Sequence, residues 1–171
     1  MIVNGCRHLV HFSLLLLLAC LGCQPPASDI EEANKAVVQA VYDAIDAQDY
    51  ERLGELTAED YVGHVAGFPE TFNKDAVFEL IRTWYSAFPD YVHVVETMVA
   101  EGDRVAVRLT YNATHQGEFE GIPATGNRIS YEGAHIVTVV DGKIAEMWVL
   151  EDMLSLMSQL GMQLVPADQE T

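Results

Sequence analysis

Hydrophobic positions recur at helical spacing in the first half of the chain. Between about residues 29 and 47 apolar side chains return every three or four positions, which predicts an amphipathic helix. A short helix is predicted over 49–56, and "DYVGHVAG" (60–67) follows as a short strand or loop. Another helical stripe begins after Asn73, a residue type that caps helix N-termini, and ends before Pro89.

The apolar pattern then changes from helical spacing to strict alternation, which is typical of strands. Four alternating segments are "YVHVVETMVAE", "RVAVRLTYNATH", "RISYEGAHIVTVV" and "KIAEMWVLE". The first two are joined by "EGD" and the last two by Asp141-Gly142, both hairpin signals. A last helix is predicted from Asp152 to Leu160. Helices followed by hairpins predict an α+β fold, with the helices packed on one face of a curved antiparallel sheet.

Alternation also assigns candidate functional residues to strand faces. His135 lies among apolar neighbours on one strand, and His115 ends the apolar face of another. Counting along the last strand places Trp148 on the face that continues to Asp152. His93 falls out of this pattern and is predicted to face solvent. The pattern does not decide which face meets the helices.

Asp152 has two interpretations. It can cap the last helix by accepting backbone N–H groups, and the strand pattern alone favours this role. It can also open into an apolar pocket, where burial disfavours the charged carboxylate and raises its pKa. A carboxyl group tuned in this way removes and returns protons near neutral pH.

Composition and charge exclude several classes of function. The 171 residues suggest one domain, and half of them are hydrophobic, which allows a sizeable core. The formal net charge of −17 repels nucleic acid and anionic lipid headgroups, so no nucleic-acid partner is predicted. The sequence contains no P-loop, G-x-G-x-x-G or G-x-S-x-G motif. It therefore predicts no nucleotide cofactor.

The sequence gives little support for a metal site or for a reactive cysteine in the folded domain. The three cysteines lie at or before Cys23, so the folded part contains no thiol. Three histidines, His64, His115 and His135, are predicted on separate strands without the spacing of a metal-binding motif. We therefore predict no metal site, and pocket or core roles are favoured for each histidine.

The N-terminus has the features of an export signal. One cation precedes the apolar run "LVHFSLLLLLACLGC", which is short for a membrane span and ends in small residues. It resembles a bacterial lipoprotein signal, with lipid attached at Cys20 or, as the alternative, Cys23. An ordinary cleaved signal is the other interpretation. The lipoprotein interpretation predicts an extracytoplasmic protein that is held at a bacterial membrane only by its lipid anchor.

The chain is accordingly divided into four parts. Residues 1–22 form the signal peptide and residues 23–29 a short tether. Residues 30–164 form a single domain without internal repeats, and residues 165–171 are predicted to be a flexible tail.

Two long segments carry a resemblance to a known family. They are "AFPDYVHVVETMVAEGDRVAVRLTYNATHQGEFEGIPATG" and "GAHIVTVVDGKIAEMWVLEDMLSLMSQLG". Their order and spacing resemble the SnoaL-like polyketide cyclases, or ester cyclases, over about residues 34–162. Two departures are Met147, where the family often has histidine before Trp148, and Ala124 in place of a proline.

The resemblance implies a fold, a site and a reaction. The fold is the cone of nuclear transport factor 2, which encloses one pocket and often forms a homodimer through its sheet. The family's acid/base carboxylate corresponds to Asp152 and its pocket histidine to His135, and neither metal nor cofactor is involved. The resemblance implies a pocket position for His64. The other candidates for substrate binding are His115, Trp148, Tyr131 and Trp84.

Three functions remain open at this point. The first is a lipid-anchored, cofactor-independent enzyme that uses Asp152 for an aldol-type cyclisation, or a related proton transfer, of a small apolar carbonyl compound. The second is a non-catalytic lipoprotein that binds a small molecule in the same pocket. The third is a structural dimer.

Overall fold

The computed structural model describes residues 26–163 and residue 165. The predicted signal peptide, with Cys20 and Cys23, lies outside the described residues, as does the tail apart from Val165. The helices are α1 (Ala27–Asp46), α2 (Tyr50–Leu56), α3 (Lys74–Ala87) and α4 (Met153–Gln159). The strands are β1 (Thr57–Val65), β2 (Thr71–Phe72), β3 (Val92–Glu101), β4 (Arg104–Thr114), β5 (Arg128–Val140) and β6 (Lys143–Glu151).

The six strands form one mixed sheet in the order β2-β1-β6-β5-β4-β3. The predicted hairpins β3–β4 and β5–β6 form, and β4 pairs antiparallel with β5. The expected all-antiparallel sheet is wrong at one place, because β1 runs parallel to β6. These two strands are joined by most of the domain rather than by a tight turn, so no hairpin dictates their direction.

The helices and the alternating apolar positions of the sheet enclose the core. Val38 and Val41 of α1 are fully buried, and Val105 and Leu109 of β4 meet the same core. In β4 and β5 every second residue is buried, as the sequence pattern predicts. The α+β architecture and the placement of the helices are therefore confirmed.

A bulge in β6 reverses the face assignment of its second half. Thr138 of β5 pairs with Glu146, and Val139 pairs with Ile144, so Ala145 is an extra residue on β6. Beyond this bulge the parity of the strand is inverted. Trp148 is 47% exposed on the outer face of the sheet, whereas the odd-numbered residues that follow the bulge turn inward.

Within the described residues, none of the helices has the length and apolar character needed to cross a membrane.

Candidate active site

One apolar cavity of about 190 Å³ lies between α1, α3 and the inner face of the sheet. It is larger than the cavity of about 150 Å³ that holds benzene in an engineered protein core, so it has room for at least one aromatic ring. Apolar walls include the side chains of Tyr61, Ile81, Trp84, Phe119, Met147 and Val149. Trp84 thus lies on the cavity wall, as predicted.

Glu151 brings a carboxyl group into this cavity at the end of β6. Burial disfavours its charged form and raises its pKa to about 7, although the nearby Tyr111 hydroxyl partly offsets the shift. A carboxyl with this pKa exists in both forms near neutral pH, so it can act as an acid or as a base. No sequence pattern pointed to Glu151, because its inward direction depends on the bulge.

Asp152 does not enter the cavity. Its side chain is exposed and accepts the backbone N–H of Ser155 over 2.9 Å at the start of α4. The prediction that Asp152 opens into a pocket is therefore wrong, because the parity count along β6 missed the extra residue at Ala145. The helix-capping interpretation describes its position.

His135 is buried in the wall of the cavity, and both of its ring nitrogens are hydrogen-bonded. Nδ1 lies 2.8 Å from the hydroxyl of Tyr42, and Nε2 lies 2.7 Å from the hydroxyl of Tyr111. Burial, together with the charge of His93, lowers the pKa of His135 to about 3, so its ring is neutral. His135 therefore holds the tyrosines in place and has no nitrogen left for a substrate.

The hydroxyl of Tyr111 connects His135 to Glu151. A neutral imidazole has one donor and one acceptor nitrogen. If Tyr111 directs its proton toward the Glu151 carboxylate, its oxygen accepts from Nε2–H of His135, and Nδ1 accepts from the Tyr42 hydroxyl. A single direction of proton donation, from Tyr42 through His135 and Tyr111 to Glu151, therefore satisfies all four side chains.

A second pair of tyrosines stands behind the carboxyl group. The hydroxyls of Tyr91 and Tyr131 are 2.6 Å apart, and burial is the main cause of the raised pKa of each. The negative charge of Glu151 adds to both shifts. Tyr131, predicted to bind substrate, is buried and packs on Tyr111, whereas Tyr91 lines the cavity.

His93 lines the cavity, so the prediction that it faces solvent is wrong. A bulge between Val95 and Thr97 interrupts the alternation of β3, which prevents a single parity count along the strand. The Nδ1 atom of His93 contacts the carboxylate of Asp46 at 2.5 Å. This pairing joins β3 to the last residue of α1.

His64 and Trp148 lie together, but outside the cavity. Their rings stack with centroids 3.8 Å apart, and Nε2 of His64 lies 3.0 Å from the carboxylate of Glu146. The predictions that they line the pocket are wrong, because Trp148 follows the β6 bulge and His64 is paired with it across the parallel ladder.

His115 is fully buried away from the cavity. Its Nδ1 accepts the backbone N–H of Thr125 over 3.2 Å, and its ring packs on Phe88. The predicted substrate contact is therefore wrong, since the strand end folds under the loop that contains Thr125. In the described part of the chain, no group of three or more His, Cys, Asp or Glu side chains is arranged to hold a metal ion.

The sequence profile of the SnoaL-like polyketide cyclases matches residues 35–160. The chain belongs to this family. It is 31% identical to the aklanonic acid methyl ester cyclase DauD of Streptomyces sp. (strain C5) over 129 residues, which cover 73% of this chain and 80% of that protein. It is 37% identical to the aklanonic acid methyl ester cyclase DnrD of Streptomyces peucetius over 95 residues, 54% of this chain and 65% of that protein.

Solved structures agree with this assignment. AclR from Streptomyces galilaeus superimposes with a TM-score of 0.70 at 32% identity, covering 77% of this chain and 97% of AclR. The predicted nuclear transport factor 2-like cone is thereby confirmed. The chain is a homologue of proteins named as cyclases.

Gly133 makes room for the ring of Tyr111, which stands beside both His135 and Glu151. A Cβ atom at this position would lie 2.6 Å from Cε2 of Tyr111 and 3.0 Å from the backbone oxygen of Leu150. We expect Gly133→Ala to lower the free energy of unfolding by about 1–3 kcal/mol, because the ring has to shift. Urea-induced unfolding measures this change.

Gly54→Ala is the matched control. Gly54 lies in α2 with no atom within 4 Å of a built Cβ, so alanine there should stabilise the helix by about 0.5–1 kcal/mol. Equal stability of the Gly133→Ala variant and the wild type would contradict the proposed crowding at Tyr111.

Proposed function

We propose that this protein is a SnoaL-like cyclase that uses Glu151 as its general acid/base. Its substrate is a small apolar carbonyl compound with an acidic C–H group, and its reaction is an intramolecular aldol-type closure or a related proton transfer. The observation that carries this proposal is the Glu151 carboxyl group in an apolar cavity, with its pKa raised to about 7 by burial.

The chemistry needs only a positioned carboxylate. A hydrogen between two carbonyl groups is already acidic, so a base with a pKa near neutrality can remove it and later return it. The Tyr111 hydroxyl beside the carboxyl favours the ionised form that starts the reaction. The apolar walls exclude water, which strengthens electrostatic interactions in the cavity.

The charge of the cavity supports an uncharged substrate. Among the described residues that line it, none is a lysine or an arginine, while Glu151 and Glu120 are acidic. A substrate carboxylate would meet these two acidic side chains without a lysine or arginine to pair with, so an ester is preferred to the free acid. The two cyclase relatives are named for a methyl ester, which is consistent with this preference.

The alternative is a lipoprotein that binds a small molecule in the same cavity without converting it. The apolar walls suit binding as well as catalysis, so they do not distinguish the two functions. The buried Glu151 carboxyl favours the catalytic function, since a purely binding pocket does not need a group that exchanges protons near neutral pH.

Deuterium exchange tests the catalytic proposal. We expect the wild-type protein to accelerate exchange at the central carbon of an aryl β-diketone ester in heavy water, measured by NMR. The rate should rise with pH through about 7, because the ionised Glu151 carboxylate is the base. Glu151→Gln should reduce the catalysed rate roughly 100-fold or more, the usual contribution of a general base.

Asp152→Asn is the matched control for this experiment. Asparagine also caps helices, and Asp152 is outside the cavity, so the exchange rate should stay within about twofold of the wild type. Loss of exchange in Asp152→Asn with retention in Glu151→Gln would reverse the assignment. Saturable binding of the probe without any catalysed exchange would favour the non-catalytic alternative.

We also propose that the protein is exported and anchored to a bacterial membrane by lipid at Cys20. The support is the leader, with its single cation, apolar run and cysteines among small residues. When the full chain is expressed in bacteria with labelled palmitate, we expect the label in the wild type and in Cys23→Ser but not in Cys20→Ser. The reverse pattern would assign the anchor to Cys23, and no label in any chain would indicate an ordinary cleaved signal.

A homodimer through the outer face of the sheet is the remaining proposal. Ile136, Trp148 and Leu150 are 47%, 47% and 52% exposed on this face, an apolar surface that a second copy would cover. We expect the soluble domain to sediment as a dimer and Leu150→Lys as a monomer. Ile30→Lys on α1 is the control and should remain dimeric, whereas a monomeric wild type would refute the dimer.

A further inference from the structure

A second histidine on the cavity wall, His93, is held in place by Asp46 at the end of α1. The Asp46 carboxylate accepts both Nδ1–H and the backbone N–H of His93, the latter over 3.0 Å. It also accepts the Tyr85 hydroxyl over 3.4 Å. Three donors thus hold the carboxylate in place and fix the orientation of the imidazole ring.

The other nitrogen of His93 is available to a ligand. Nε2 has no hydrogen-bond partner within the described chain, and His93 is one of the residues that line the cavity. His135 shows the contrast, because tyrosine hydroxyls occupy both of its nitrogens.

His93 and Glu151 can reach the same substrate. The His93 ring centroid lies 5.2 Å from that of Tyr111, and the hydroxyl of Tyr111 stands beside the Glu151 carboxyl. Both His93 and Glu151 line the same cavity. A compact dicarbonyl compound can place a C–H group at Glu151 and a carbonyl oxygen at His93.

We propose that His93, oriented by Asp46, is a second catalytic residue that transfers protons at a substrate oxygen while Glu151 transfers them at carbon. This inference rests on the proposed function and extends it. In an aldol-type closure, the proton that His93 donates would stabilise the developing alkoxide.

The proton transfers balance within one turnover. The Glu151 carboxylate takes the proton as the C–H bond breaks, and the resulting enolate carbon forms the new C–C bond to the carbonyl carbon. The carbonyl oxygen receives the proton from Nε2–H of the His93 imidazolium, whose charge is compensated by Asp46. Afterwards Glu151 is protonated and His93 is neutral. Glu151 then loses its proton to solvent and His93 takes one from solvent, which restores both groups. The net reaction is an isomerisation of the substrate.

Two reactions of one probe separate the roles of the two residues. The probe is aklanonic acid methyl ester, for which we measure deuterium exchange at its acidic carbon and ring closure. We expect His93→Gln to leave exchange within about threefold of the wild type but to slow closure roughly 100-fold, the scale of a lost general acid. Asp46→Asn should also slow closure more than exchange, but by a smaller factor than His93→Gln, because the substitution misorients the imidazole ring of His93.

Chemical rescue excludes a merely structural role. In His93→Ala, added imidazole should restore closure in a concentration-dependent way, since it can occupy the space of the missing ring. Equal losses of exchange and closure in His93→Gln, together with no rescue of His93→Ala, would overturn the proposal. Normal closure by His93→Gln would also overturn it.

The outcomes distinguish this inference from the function on which it rests. Absence of exchange in the wild type would refute Glu151 as the base, and the role of His93 would fall with it. Exchange by the wild type without closure of the probe would leave Glu151 as a base and remove His93 as the oxygen-directed acid. A thermal melt of each variant verifies that it is folded.

Discussion

The chemistry of this domain depends on a single extra residue in its last inner strand. Without the bulge at Ala145, strict alternation would turn Trp148 inward and Glu151 out to water. With it, a carboxyl group is held against apolar walls, and its proton affinity rises because its charged form is poorly solvated. Strand register therefore determines which of two adjacent acids titrates near neutral pH and which one only caps a helix.

Two histidines in the core illustrate how environment separates similar side chains. His135 is enclosed between Tyr42 and Tyr111, remains neutral and organises hydroxyl groups. His93 sits beside Asp46 at the cavity wall, and its Nε2 has no hydrogen-bond partner in the described chain. His135 positions tyrosine hydroxyls, whereas His93 is the histidine proposed to act on the substrate. Both side chains are largely shielded from solvent.

Periodicity predicted the helices, the hairpins and the α+β class because these follow from local spacing and turn residues. The alternation of β4 and β5 was predictable for the same reason, including the grouping of His135 with the apolar residues of its strand. The site was less predictable, because bulges in β3 and β6 depend on pairing with neighbouring strands, which a single sequence does not display. The errors at Asp152 and His93 both come from counting through such a bulge.

The hydroxyl bridge through His135 also joins two separate parts of the molecule. Tyr42 belongs to α1 and Tyr111 to β4, so the imidazole of His135 links a helix to the tyrosine whose hydroxyl lies near the Glu151 carboxyl. A shift of α1 along the sheet would lengthen the hydrogen bonds of His135. It would also change how strongly the Tyr111 hydroxyl favours the ionised form of Glu151. Because α1 is the first helix of the described residues, a displacement at the N-terminal end of the domain would reach the cavity through the two hydrogen bonds of His135.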